Sequence, residues 1–215
     1  MSLEFRVELK ANYPEDYKRK ELVIGVYDTE IRDKDDEFQK IGQVNGWYYD
    51  AWAFSRNIDL HLKRLSLNQK VPNKVLTEML LYADEMDGDA FQILEAMTDP
   101  DDSLIKGSLK GGLHSFITID RLYVYKEYRN KGYASKILDT LSSDDFLIRT
   151  LRLDPNHTLI GLMANPFELK KEENNLDLSF ENMEFLGEED KKRLISFYRK
   201  ARFKQSKLNP DVLYM

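Results

Sequence analysis

"EYRNKGYASKIL", residues 127–138, decides how this chain is read, because it sets two cations, an asparagine and a glycine between a strand-like run and an amphipathic one. Upstream, residues 115–125, "SFITIDRLYVY", are β-branched and aromatic, the most strand-like run in the sequence. Downstream, Ile137, Leu138 and Leu141 fall on one helical face. The order is strand, charged loop with glycine, helix. Such an order aims the unpaired N–H groups of a helix's first turn, and the positive end of its dipole, at whatever lies above the loop. An anion suits that place, and a phosphate most naturally. Gly132 permits close approach to the backbone, Ala134 keeps the next turn open, and Arg129 and Lys131 add charge. The competing reading is a basic turn that is soluble surface.

The composition narrows the classes of function. With 215 residues, 42% apolar and 33% charged, the chain has the balance of a folded globular protein and the length of one domain. A net charge of −6 predicts no nucleic-acid partner, since that affinity comes largely from cations meeting phosphates. Zero Cys excludes disulfides and thiolate chemistry, and three isolated His (His61, His114, His157) predict no metal site. No apolar run approaches the roughly 20 residues that cross a bilayer. The start "MSLEFRVELK" is charged where a signal peptide is apolar, so no membrane association is expected and the default location is cytoplasmic.

Outward from the loop, residues 3–10 alternate apolar and polar and residues 21–31 are β-branched, so both read as strands. "RDKDDE" then leads to "FQKIGQV", Asn45-Gly46 and "WYYDAWAF"; an Asn-Gly pair between strand-like runs predicts a hairpin turn there. Trp47 and Trp52, in its second arm, read as core. Between 58 and 98 the apolar spacing becomes helical, interrupted at Gly88. "DEMDGD" at 84–89 lacks the ligand order of a calcium loop. Residues 99–112 read as a flexible connection, and the acid-rich 169–177 as a solvated loop.

With its flanks, the opening stretch resembles the acyl-CoA signature of the GCN5-related N-acetyltransferase (GNAT) family, a strand, then R/Q-x-x-G-x-G/A, then a helix. Arg129, Gly132 and Ala134 stand in the three defining places. Further on, "TLIGLMANP" at 158–166 resembles the following strand, "EEDKKRLISFYRKARFKQ" at 188–205 the next helix with its "FYRKARF" phrase, and "DVLYM" the last strand. The likeness covers roughly residues 115–215. Two departures stand out: the glycine usual in the second motif is Arg202, and the asparagine often found in that helix is absent.

The resemblance implies an α/β (α+β) fold, a mixed, mostly antiparallel central sheet flanked by helices. It implies one domain, with N-terminal strands over 1–57, a helical acceptor-side segment and loop over 58–112, and an acyl-CoA-binding core over 113–215. The activity implied is direct transfer of an acetyl group from acetyl-CoA to the primary amine of a small molecule or peptide. Backbone N–H groups of Arg129, Asn130, Lys131, Gly132, Tyr133 and Ala134 would hold the pyrophosphate, and those near Leu122, Tyr123 and Val124 the pantetheine arm and carbonyl. Tyr198 stands where many members carry a tyrosine and is the candidate general acid; its other reading is a packed aromatic. Asp120 and Glu127 are candidate bases acting through water, or carboxylates paired with Arg121 or Arg129. A cationic acceptor is expected from the acidic loops of the N-terminal half, Asp84, Glu85 and Asp87 among them. A homodimer is left open, and the alternative function is a GNAT-fold module that binds CoA or a protein without catalysis.

Overall fold

The computed structural model describes residues 2–11, 18–50, 53–54, 73–86, 88–98, 115–170, 178 and 180–215. Strands β1 (Leu3–Lys10) and β2 (Arg19–Arg32) pair antiparallel in unbroken register from Leu3↔Asp28 to Lys10↔Glu21. The alternation read from 3–10 is the reason: Leu3, Phe5 and Val7 pack on the core while Glu4, Arg6, Glu8 and Lys10 share the opposite face. β3 (Phe38–Asp50) returns beside β2.

The turn between β2 and β3 lies in "RDKDDE", and the hairpin expected at Asn45-Gly46 is corrected. Asp33 closes the turn with its carboxylate, accepting from the N–H groups of Asp35 (2.9 Å) and Glu37 (3.0 Å), and Asp36 takes the left-handed conformation at φ 61°. β3 runs straight through Asn45 and Gly46. Gly46 is needed for a close approach instead: a Cβ there would sit 1.8 Å from the carbonyl oxygen of Thr118 on the next strand.

Helices α1 (Asn73–Met86) and α2 (Gly88–Thr98) follow, and the chain re-enters the sheet as β4 (Ser115–Val124). Then come α3 (Tyr133–Leu141), β5 (Thr158–Met163), the two-stranded hairpin β6 (Phe167–Leu169) and β7 (Met183–Phe185), α4 (Glu188–Lys200), β8 (Lys204–Gln205) and β9 (Val212–Tyr214). The large sheet has the order β1-β2-β3-β4-β5-β9-β8, and its one parallel pair is β4 with β5. This is a mixed α/β architecture, a mostly antiparallel sheet flanked by helices.

Two clusters fill the faces of the sheet. α1 and α2 pack Met79, Ala83, Ile93 and Leu94 onto Tyr49, Phe116, Leu159 and Tyr214. Their alternating neighbours Val44, Ile117, Ile160 and Leu213 face the other way and meet Ile137, Leu138 and Leu141 of α3 and Tyr198 of α4. Among the described residues no helix is long and apolar enough to cross a membrane.

Candidate functional site

β4 changes character at one residue. Asn45 faces Arg121 and Gly46 faces Ile119, so Asp120 is an extra residue in the register, opposed by no residue of β3. The bulge inverts the alternation: Ile117 and Ile119 share their cluster with Leu122 and Val124, whereas Tyr123 joins a separate one with Leu169 and Met183. At the same point β5 leaves. The parallel ladder runs from Ser115↔Thr158 to Ile119↔Leu162 and stops, while β4 continues to Val124 and β5 ends at Met163, paired with Val212.

The parted strands open a cleft of about 510 Å³. Ile119 to Tyr123 line one wall, Asn165, Pro166 and Phe167 the other, and Leu194, Phe197 and Tyr198 of α4 close the end. Arg129 and Asn130 stand at its mouth. Beyond them the backbone alternates in hand, Asn130 at φ 59° and Gly132 at φ 82° with Lys131 between, the pattern by which successive N–H groups form a concave anion nest. α3 begins on Gly132 with no side chain capping it, and Lys136 N–H to the Gly132 carbonyl, at 3.2 Å, begins its ladder. The N–H groups of Tyr133, Ala134 and Ser135 precede that bond.

The side chains around the loop anchor it. Tyr133 is buried and its hydroxyl donates to the carboxylate of buried Asp28, whose other oxygen accepts from Glu30 N–H at 2.8 Å. That hydrogen bond, then burial, pushes the Tyr133 phenol up to about 12. Arg129, expected to add charge to the loop, is paired with a carboxylate. Its guanidinium binds Glu168 of β6 through both nitrogens, at 2.6 and 2.9 Å, and its Nε donates to the Val124 carbonyl at 2.9 Å. Tyr123 also donates to Glu168, at 3.1 Å. Burial alone would raise the Glu168 carboxyl, but the bonds and charge of Arg129, helped by Tyr123 and the Leu169 N–H, hold it below its ordinary value. Lys131 is exposed, its ammonium 5.3 Å from the centre of the Tyr128 ring.

Of the expected catalytic groups, Asp120 and Tyr198 meet at the cleft. Tyr198 is 7% exposed, and burial pushes its phenol up to about 12 against the opposing pull of the Arg121 cation. Arg121 is itself buried, its Nη1 2.6 Å from the Asp120 carbonyl and its guanidinium 4.8 Å above the Phe167 ring. Glu127 lies exposed on the turn Lys126–Tyr128, outside the cleft's described lining. Leu122 and Tyr123 line the cleft, Val124 turns its side chain into the core, and Ala134 is half-buried at the start of α3. No described residue of α1 or α2 lines it: Asp84 and Glu85 are exposed, and Asp87 and Trp52 lie outside the described residues. Sequence reading missed Glu168, Asn165 and Asp28. Each is a lone polar residue beside a short strand or within a long one, with no spacing to mark it.

Among the described residues no group of three or more His, Asp or Glu gathers as metal ligands. Neither a scan of protein-family models nor a search of curated proteins returns a match for this chain.

Proposed function

We propose that this chain is an N-acetyltransferase of the GNAT type, which binds acetyl-CoA in the cleft between β4 and β5 and passes its acetyl group to a primary amine. The observation that carries the reading is the parting of the two parallel strands directly beside an uncapped helix start and a backbone nest. A long, thin ligand with an anionic diphosphate fits such a place: N–H groups of residues 130–135 for the charge, and the edge of β4 that β5 leaves beyond Ile119 for amide groups along an arm. The departure at Arg202 is absorbed by the backbone, since that residue takes the conformation a glycine would, at φ 71°.

In the reaction the amine's lone pair forms the C–N bond at the thioester carbonyl, the C–S bond breaks, and the sulfur leaves with the electron pair. Tyr198, protonated at neutral pH, is the group in the cleft that can return a proton to that sulfur. Asp120, on the bulge and in the cleft's lining, is our candidate for the carboxylate that takes the amine's proton through water.

The test is a melting curve with acetyl-CoA, followed by thiol release with a panel of amines. At 100 times its dissociation constant the ligand should stabilise the protein by roughly 2.7 kcal/mol. Gly132→Asp should abolish that shift while Gly132→Asn, its uncharged isostere, keeps most of it, because both tolerate a left-handed backbone and a Cβ there meets nothing within 4 Å. No shift in the parent protein overturns the assignment. Binding without thiol release from any amine would favour a non-catalytic CoA-binding module.

A further inference from the structure

The sheet ends at β1, and this edge is unlike one built to stay single. Edge strands are ordinarily kept apart by shortness, bulges, Pro or charged side chains, Lys above all. β1 is 8 residues long, free of Pro and without a bulge in its register. Its charges alternate in sign along one face, Glu4, Arg6, Glu8, Lys10. Among the described residues nothing pairs with its outer edge.

We propose that β1 joins β1 of a second copy of this chain antiparallel about a two-fold axis through Val7, making one sheet continuous across a homodimer. The hydrogen-bond phase permits it. Thr29 N–H donates to the Ser2 carbonyl at 3.0 Å, so the even-numbered residues of β1 bond to β2, and the N–H and C=O groups of Leu3, Phe5, Val7 and Leu9 point outward. Centring the pairing on Val7 sets outward groups against outward groups: Val7 against the partner's Val7, and Phe5 against the partner's Leu9. The intervening residues then match in charge, Arg6 against the partner's Glu8 and Glu4 against the partner's Lys10, each twice by symmetry. Centring on Arg6 or Glu8 also sets outward groups against outward groups, but it opposes like charges: Arg6 with its own copy and Glu4 with the partner's Glu8 in the first, Glu8 with its own copy and Arg6 with the partner's Lys10 in the second. On the other face Leu9, 42% exposed, gains cover from the partner's Phe5.

A second feature extends the contact. Beside the edge lies a groove of about 380 Å³ between Ser2, Leu3 and Phe5 on one side and Lys136, Thr140 and Thr150 on the other. The partner's strand would run along its rim. Paired strands alone bury less than the roughly 1,200 Å² of a standard interface, so the expected dimer is reversible and of micromolar strength.

Sedimentation velocity from low micromolar to sub-millimolar protein tests this. The parent chain should show a monomer–dimer equilibrium that weakens with salt. Arg6→Glu or Glu8→Arg alone sets like charges together at two places and should weaken the dimer at least about tenfold. The double variant, Arg6→Glu with Glu8→Arg, restores opposite signs and should recover it. Melting temperatures taken alongside separate a lost contact from a lost strand, and Glu4→Lys, Lys10→Glu and their combination repeat the logic at the outer pair. A parent chain monomeric throughout overturns the proposal. So do single reversals that dimerise like the parent, or a double variant that does not recover.

Discussion

The two halves of β4 differ more than neighbouring stretches of one strand usually do. From Ser115 to Ile119 the strand is bonded on both edges and buried throughout. From Asp120 to Val124 it keeps β3, loses β5, and carries Arg121 and Tyr123 under an ion pair and a small hairpin. One inserted residue separates a stretch that holds the fold from a stretch that forms the cleft. A bulge costs the sheet a ladder position and re-aims every side chain after it. Here it directs side chains that would have faced the core into an opening between strands.

The comparison breaks most severely at Gly46, the residue opposite the change. Gly46→Ala places a methyl 1.8 Å from the Thr118 carbonyl oxygen, a backbone atom of the rigid half, so the two strands must separate or the bulge must move. Destabilisation of about 3 kcal/mol is expected, read by denaturant unfolding. Gly88→Ala, where a Cβ meets nothing within 4 Å, is the control and should stabilise α2 or leave it unchanged. If Gly46→Ala matches the control, the close approach is not what the glycine serves.

The same contrast explains what the sequence disclosed. The rigid half was legible because burial leaves a repetitive mark: "SFITI" is β-branched and apolar, and β1, β2, β5 and β9 carry the same kind of signal. The loop's position was legible because Gly132 lies between a strand-like run and an amphipathic one, whereas its cations alone do not separate an anion site from a basic surface turn. The bulge was not, since Asp120 differs from any polar strand residue only in having no β3 residue opposite it in the register. Asn45-Gly46 misled for a related reason: a glycine demanded by close backbone approach and one demanded by a turn look alike until the neighbouring strand is in place. β6 and β7, three residues each, are too short to show a period, so the Arg129–Glu168 pair could not be foreseen.

At the cleft's closed end, Tyr198 separates catalysis from packing. Tyr198→Phe keeps the ring against Phe197 and Phe203, 5.5 and 5.9 Å away between centroids, and removes only the hydroxyl. With the proposed role as acid, kcat should fall roughly 10²-fold at nearly unchanged acetyl-CoA affinity. Because burial pushes the phenol up to about 12, the parent's rate should show no decline from loss of this proton through neutral and mildly alkaline pH. A Phe variant with parental turnover moves the acid elsewhere and leaves Tyr198 as core.

The smallest effect is expected at Glu168, where the outer half of β4 is tied to the hairpin. Its carboxyl is held below the ordinary value of 4.5, so the folded state gains from its ionisation. That contribution is fully present above the ordinary value and is lost as pH falls through the depressed one, which places the loss below pH 4.5. Glu168→Gln removes the carboxylate charge that faces the partly buried Arg129, whose Nε bond to the Val124 carbonyl remains, at a cost of about 1 to 3 kcal/mol at neutral pH. Its stability should then fall less than the parent's between pH 5 and pH 3, measured by denaturant midpoints across that range. Acetyl-CoA distinguishes two roles for this arginine. If the backbone nest holds the diphosphate and Arg129 serves as a strut, Glu168→Gln should leave affinity within about threefold of the parent's, under 1 kcal/mol. Should binding tighten tenfold or more, Arg129 would be a phosphate ligand restrained by Glu168, and the outer half of β4 would hold its cation in reserve rather than spend it on structure.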